Sequence, residues 1–480
     1  MTDRYESPLC KRYAGEKMRH IFSDDNKFST WRRLWVALAE SQRELGLPIS
    51  RAQIDEMKAN ITDIDYEAAA RFESETNHDV MAHILAYGEK CPLAKPIIHL
   101  GATSCYVGDN TDILLMRSAL SHIKKLLIDL LERLYDFAQD HKAVSCLAYT
   151  HFQAAQPTTL GKRAALWMYD FLLDLEQLDF TLGRLKLAGC KGATGTGASF
   201  LSLFENDHEK VVELERKIAA KMGFDETYPV TGQTYPRKID YYTLSVLSGI
   251  AQSAYKFSND IRLLSHLKEV EEPFKSGQVG SSAMPYKKNP IDSERIASLA
   301  RFVTVNALNP ALTASAQWLE RTLDDSANRR IAIPEAFLAA DEILTLAANI
   351  AGGLRVYPKM IKKHLEDELS FIATENILMH CVKKGGDRQA LHERLRVHSA
   401  NAARKIKEEG EENDLITRIQ NDAAFGLTAD EIDGLLRFEN YTGRAKEQTE
   451  EFLSELRAIL DTHKNISHTD CSLQTTDYNL

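Results

Sequence analysis

Residues 111–138 read TDILLMRSALSHIKKLLIDLLERLYDFA. Ile113, Met116, Leu120, Ile123, Leu127, Leu130 and Leu134 recur at alternating spacings of three and four, the period of one helix face. The spacing predicts a single rod of roughly 40 Å. Residues 159–187, 241–267 and 293–316 carry the same periodicity. Their apolar faces are wide, and small residues recur within them, as at Ala251, Ala254, Ala297 and Ala300. Such rods bury themselves best in a bundle that also packs against other subunits.

Outward from these rods the chain stays helical. Phe28, Trp31, Leu34, Trp35, Leu38 and Leu45 keep helical spacing, with Asp24 and Asp25 expected as caps. Ser50-x-x-Gln53 and Thr428-x-x-Glu431 read as capping boxes. Strand-like alternation is scarce, so the fold class is all-α. The proline-bearing stretch at Pro92 and Pro96 precedes the first rod, and Gly352-Gly353 with Pro358 follows the last. Three helical domains are expected: 1–103, a central long-helix bundle over 104–356, and 357–480. The polar end from about Lys464 is expected to fray.

A formal charge of −10, with 27% charged residues, argues against general nucleic-acid binding. No run reaches the apolar length of a membrane span, and the start MTDRYESPLCKRY lacks a signal-peptide core, so a cytoplasmic protein is expected. Seven scattered cysteines without a C-x-x-C pair fit reduced thiols rather than a disulfide framework or zinc site.

Four stretches carry chemistry. Gly277 and Gly280 lead into Ser281 and Ser282 beside Lys287 and Lys288, which suits a mobile loop offering an activated serine to an anionic substrate. His151, flanked by hydroxyls and amides before a rod, suits proton transfer. Thr103 and Ser104 enter a helix and can present donors to a carboxylate or phosphate. Arg321, Arg329 and Arg330 with Ser326 suit a phosphate, although Glu320, Asp324 and Asp325 would equally make a salt-bridged surface. His78, Asp79 and His83 do not complete a metal ligand set.

GSSAMPYKKNP (280–290) resembles the signature of the fumarase/aspartase superfamily, whose members eliminate fumarate from succinyl compounds. The resemblance runs from Ser7-Pro8-Leu9 to Gly443-Arg444-Ala445. Within it, RTLDDSANRR (321–330) is similar to the animal-type adenylosuccinate lyase family rather than to argininosuccinate lyase, fumarase or aspartase. That resemblance implies release of fumarate from adenylosuccinate and from the succinylated aminoimidazole carboxamide ribotide (SAICAR), giving AMP and AICAR. It implies His151 as general acid and Ser281 as general base, with Ser282 an open rival. Lys287, Thr103 and Ser104 would stabilise the carbanion. Arg12, Tyr13, Asn77, His78, Asp79, Gln233, Asn289, Arg295, Arg321, Ser326 and Arg330 would contact the substrate, and the segment around His78 would orient the acid histidine. No cofactor and no metal are implied, and the family's homotetramers share each site among three subunits. Ala154 departs from the proline common in relatives, which loosens the turn after His151. The other readings are a sister lyase, such as argininosuccinate lyase, and a non-catalytic crystallin-like structural protein.

Overall fold

The computed structural model describes residues 3–274, 277, 278 and 280–474, with side chains as far as residue 464. Helix α1 (Asp24–Glu44) starts one residue before the expected caps. Ser23 Oγ accepts the Asn26 N–H, while Asp24 and Asp25 fill the first turn, where their charge meets the positive helix end. Both capping boxes form, at Ser50 and Thr428. After α2 (Asp79–Lys90) comes α3 (Ser104–His141), a rod of 38 residues in which every member of the predicted stripe is buried. At 1.5 Å per residue it is about 57 Å long.

Strands β1 (Ser145–Thr150) and β2 (Gln153–Thr159) form an antiparallel hairpin that leads into α4 (Leu160–Leu182). Helix α5 (Lys238–His266) and the short strand β3 (Val270–Glu271) follow. The single rod expected over 293–316 is instead two helices, α6 (Ile291–Asn306) and α7 (Leu308–Ala316). Pro310 has no N–H to give to the Asn306 carbonyl, and its ring crowds that carbonyl, so the helix breaks there. A fifth rod, α8 (Asp325–Ala351), carries no one-sided stripe. Ala332, Ala336, Ala339, Ala340, Ala347 and Ala348 bury it on all sides, and it runs unbroken through Pro334.

The rods share a polarity. Arg237, which precedes α5, bonds Asp109 in the second turn of α3 and Asp325 at the start of α8, so three rods begin at one end of the bundle, here the near end. At the far end Arg163, early in α4, approaches Glu269 beyond α5, and β3 pairs with β4 (Arg355–Val356) just beyond α8. Helix α9 (Pro358–Ile372) leads to a separate small core between Ala373 and Phe425. The chain then returns. Helix α10 (Ala445–Gln474) lies against α3 and α4, and Leu453, Leu456 and Leu460 join the main core. The backbone stays helical past Lys464; residues 475–480 of the expected frayed tail lie outside the described residues. Among the described residues no helix is long and apolar enough to cross a membrane.

Candidate active site

At the near end, His78 precedes α2 and caps it. Its Nδ1 accepts the Met81 N–H at 3.3 Å, which leaves the ring proton on Nε2, 3.1 Å from Ser104 Oγ at the start of α3. Asn77 is left-handed (φ 51°), turning the chain between two helices. Asp79 Oδ2 accepts from Arg330 on α8 at 2.8 Å. Thr103 is the N-cap of α3, and its side chain makes no capping bond. Gln233 lies beside it: its Nε2 donates to the Ala193 carbonyl at 3.2 Å, and Cys105 Sγ donates to its Oε1 at 3.5 Å. Burial, followed by the nearby Asp109 charge, pushes the Cys105 thiol up to about 12, so it stays a donor. His83 turns away from this cluster. It stacks on Phe28 at 3.8 Å, and burial pushes it down to about 4, as for a neutral core histidine.

A buried ion-pair network holds this end together. Arg237 binds both oxygens of Asp109, at 3.0 and 3.1 Å, and Asp325 at 2.6 Å. Arg329 binds Asp240 at 2.7 Å, Asp112 at 2.8 Å and the Tyr235 hydroxyl at 2.5 Å. The arginines of the 321–330 stretch therefore divide. Arg329 is consumed by the fold, Arg321 is half-buried on Asp325 at 2.8 Å, and Arg330 is exposed. Burial disfavours the Asp325 carboxylate, but Arg237 and Arg321 outweigh it and hold its pKa below the ordinary value. Ser326 is half-buried one residue beyond Asp325.

At the far end, His151 and Phe152 are the two central residues of the β1–β2 turn, with φ of 53° and 56°. A two-residue turn with both φ positive is the hairpin form that favours Asn-Gly, so these side chains sit on strained backbone. His151 is exposed, and no hydrogen bond or ion pair among the described residues holds its ring. The hairpin packs on α9, and burial, followed by the nearby Glu269 charge, pushes the Tyr149 hydroxyl's pKa up; Glu269 stands three residues before the loop that leads to Ser281. In that loop Ser281 Oγ accepts the Met284 N–H at 3.1 Å, while Ser282 is exposed. Asn289 Nδ2 donates to the Gly280 carbonyl at 2.8 Å, and Lys287 is exposed.

On the bundle's flank, Arg12 and Tyr13 close a single π-helical turn (Leu9–Tyr13). The Tyr13 ring lies 5.8 Å from the guanidinium carbon of Arg295, which binds Glu342 at 3.2 Å.

One chain thus gathers Asn77, His78, Asp79, Thr103, Ser104, Gln233, Arg321, Ser326 and Arg330 at its near end. It sets His151, Ser281, Lys287 and Asn289 at the far end. The α3 rod of about 57 Å separates the ends, and a six-residue strand reaches back only about 20 Å. His78 therefore does not orient His151 within one chain. Sequence reading passed over residues 189–197, GCKGATGTG, whose first four residues line a narrow cavity with Thr103 and Gln233. Gly189, Gly192, Gly195 and Gly197 all have positive φ, and four glycines in nine residues were the available signal.

This arrangement of long rods is shared with solved structures. A 3-carboxy-cis,cis-muconate lactonizing enzyme from Pseudomonas putida aligns with TM-score 0.81 at 23% identity, covering 94% of this chain and 99% of that one. A fumarate lyase from Mesorhizobium sp. BNC1 aligns with TM-score 0.79 at 24% identity, covering 94% and 99%. At those identities the likeness concerns the fold. The lyase family model matches residues 12–304, which places the chain among the lyases of the fumarase/aspartase superfamily. The model of the adenylosuccinate lyase C-terminus matches residues 370–452. Adenylosuccinate lyases from Saccharomyces cerevisiae and Schistosoma mansoni are 49% and 48% identical to it, each over 94% of this chain and 95% of the relative. The chain belongs to the adenylosuccinate lyase family.

Proposed function

We propose that the protein eliminates fumarate from adenylosuccinate to give AMP, and from SAICAR to give AICAR, in purine nucleotide synthesis. The observation that carries the reading is the near-end cluster. It sets a helix start bearing Thr103 and Ser104 beside Arg321 and Arg330, a place for carboxylates next to a place for phosphate.

In the proposed reaction Ser281, as alkoxide, takes the proton from the carbon beside a carboxylate of the succinyl group. The electron pair left behind forms the new double bond as the carbon–nitrogen bond breaks. His151, as imidazolium, gives its proton to the departing nitrogen. The Met284 N–H aimed at Ser281 Oγ favours the ionised oxygen, which supports Ser281 over Ser282. Lys287, Thr103 and Ser104 stabilise the charge that spreads onto the carboxylate, an effect worth several kcal/mol. Asn77, His78, Asp79, Gln233, Asn289, Arg295, Ser326, Arg12 and Tyr13 complete the substrate contacts.

Because the two groups lie at opposite ends of one chain, the site needs more than one subunit. Leu166, Tyr169, Leu173 and Phe180 form an exposed stripe on α4, continued in kind by Val305 on α6 and by Leu308 and Leu312 on α7. An apolar surface of that extent suits subunit packing, here a cytoplasmic homotetramer with chain units near 1–103, 104–356 and 357–480. The test is the ultraviolet absorbance of adenylosuccinate with purified protein, with products identified, then mixing of inactive His151→Ala and Ser281→Ala proteins. Stoichiometric fumarate and AMP, and recovered activity in the mixture, are expected. No turnover would refute the reaction, and no recovery after verified subunit exchange would refute shared sites.

A further inference from the structure

Asp341 and Glu342 are consecutive carboxylates on α8, 2% and 8% exposed, and neither belongs to the near-end network or the far-end loops. Asp341 is held from two other elements. Its Oδ2 accepts the Gly15 N–H at 2.6 Å, and its Oδ1 lies 2.9 Å from His122 Nε2 on α3. The approach to Gly15 is so close that a Cβ there would sit 2.9 Å from Oδ2. Just upstream, the Ala14 N–H closes on the Leu9 carbonyl at 2.8 Å, so the turn bearing Arg12 and Tyr13 is compact and leaves through Gly15. Glu342 meanwhile holds Arg295, whose guanidinium faces the Tyr13 ring.

We infer that Asp341 is a positioning residue for the elimination: it pins Gly15 and so keeps Arg12 and Tyr13 where Glu342 places Arg295. This rests on the proposal that Arg12, Tyr13 and Arg295 contact substrate. A backbone N–H on a buried carboxylate is a charge-assisted bond, and its loss favours the detached turn by about tenfold. The exposed Lys11 and Arg12 make detachment visible as trypsin cleavage of substrate-free protein.

The test compares Asp341→Leu, Asp341→Asn and Gly15→Ala in both trypsin cleavage and steady-state kinetics. For Asp341→Leu, cleavage after Lys11 and Arg12 quickens about tenfold and KM rises about tenfold, while kcat stays within about twofold. Asp341→Asn restores both readouts, because its amide oxygen still accepts the Gly15 N–H. Gly15→Ala, which keeps the Asp341 and His122 side chains but crowds Oδ2 from the Gly15 side, moves both readouts in the direction of the leucine variant and stands in if that variant does not fold. Wild-type cleavage in the folded variants overturns the inference, as does faster cleavage with unchanged KM. If the wild-type protein turned over no succinyl nucleotide, the reaction reading would fail separately, and unchanged cleavage would still overturn the clamp.

Discussion

Gly280→Ala tests the serine-bearing loop most sharply. A Cβ at this position would stand 2.2 Å from the Lys287 carbonyl oxygen, 3.0 Å from Phe274 Cζ and 3.1 Å from Lys288 Cα. Two of those three atoms are backbone and cannot swing aside. Ordinary contact begins at 3.4 Å, so the two sides of the loop must part by about 1 Å. Parting them strains the Asn289 bond to the Gly280 carbonyl and shifts Ser281 and Lys287, which flank the closure. Overpacking of this kind costs about 1–3 kcal/mol, borne by the loop, because Ser282 to Lys288 are exposed and outside the main core. A misplacement of about 1 Å at a reacting group lowers turnover by about 10²-fold. The assay is kcat for adenylosuccinate beside urea unfolding of the same protein, with Gly277→Ala as control. Gly277 has φ of 82° and nothing within 4 Å of a Cβ, so its substitution costs only the conformational penalty of about 1 kcal/mol. A Gly280→Ala protein with kcat within about twofold of wild type would refute the loop's part in the reaction.

Three further outcomes are expected. Arg329→Met, which strands Asp240 and Asp112, destabilises by about 3–5 kcal/mol in urea unfolding, while Arg330→Met costs under about 1 kcal/mol and instead raises KM; equal stability losses would contradict the division of the two arginines. Asp174 Oδ2 is buried without a partner among the described residues, and burial pushes its carboxyl up to about 7, against roughly 3.9 in an unfolded chain. The folded state holds the extra proton between those values, so stability falls as pH rises from about 4 to 7, by up to about 4 kcal/mol, and stays lost above; Asp174→Asn should flatten that fall, and identical slopes for the two proteins would refute it. Phe152→Gly relieves one left-handed residue at the hairpin tip and should stabilise by about 1 kcal/mol in thermal unfolding; a loss would mean that the Tyr149–Phe152 ring contact, at 5.8 Å, outweighs the strain.

The rods were legible because burial on one face writes a period into the sequence, and all seven residues of the α3 stripe are buried. α8 was not, because a helix buried all round has no period to show. The 293–316 stretch was misjudged as one rod because apolar spacing persists through a proline that the backbone does not tolerate. In the candidate site, motif residues were readable, but their division was not. Nothing local to Arg329 and Arg330 says which turns inward, since Asp240 lies 89 positions from Arg329 and Asp79 lies 251 from Arg330. The hairpin bearing His151 was hidden for the opposite reason, since neither His151 nor Phe152 is a residue that its turn prefers.

The return of α10 to the main bundle bears on the order in which the molecule can be made. The small core between Ala373 and Phe425 is built from one continuous stretch and can close as soon as that stretch has left the ribosome. The main core opens with Leu9 and Met18 and is completed by Leu453, Leu456 and Leu460. During synthesis the long rods therefore stand with part of their apolar surface uncovered while a smaller unit downstream has already set. The interval before α10 arrives is when the nascent chain is most open to aggregation or to a chaperone.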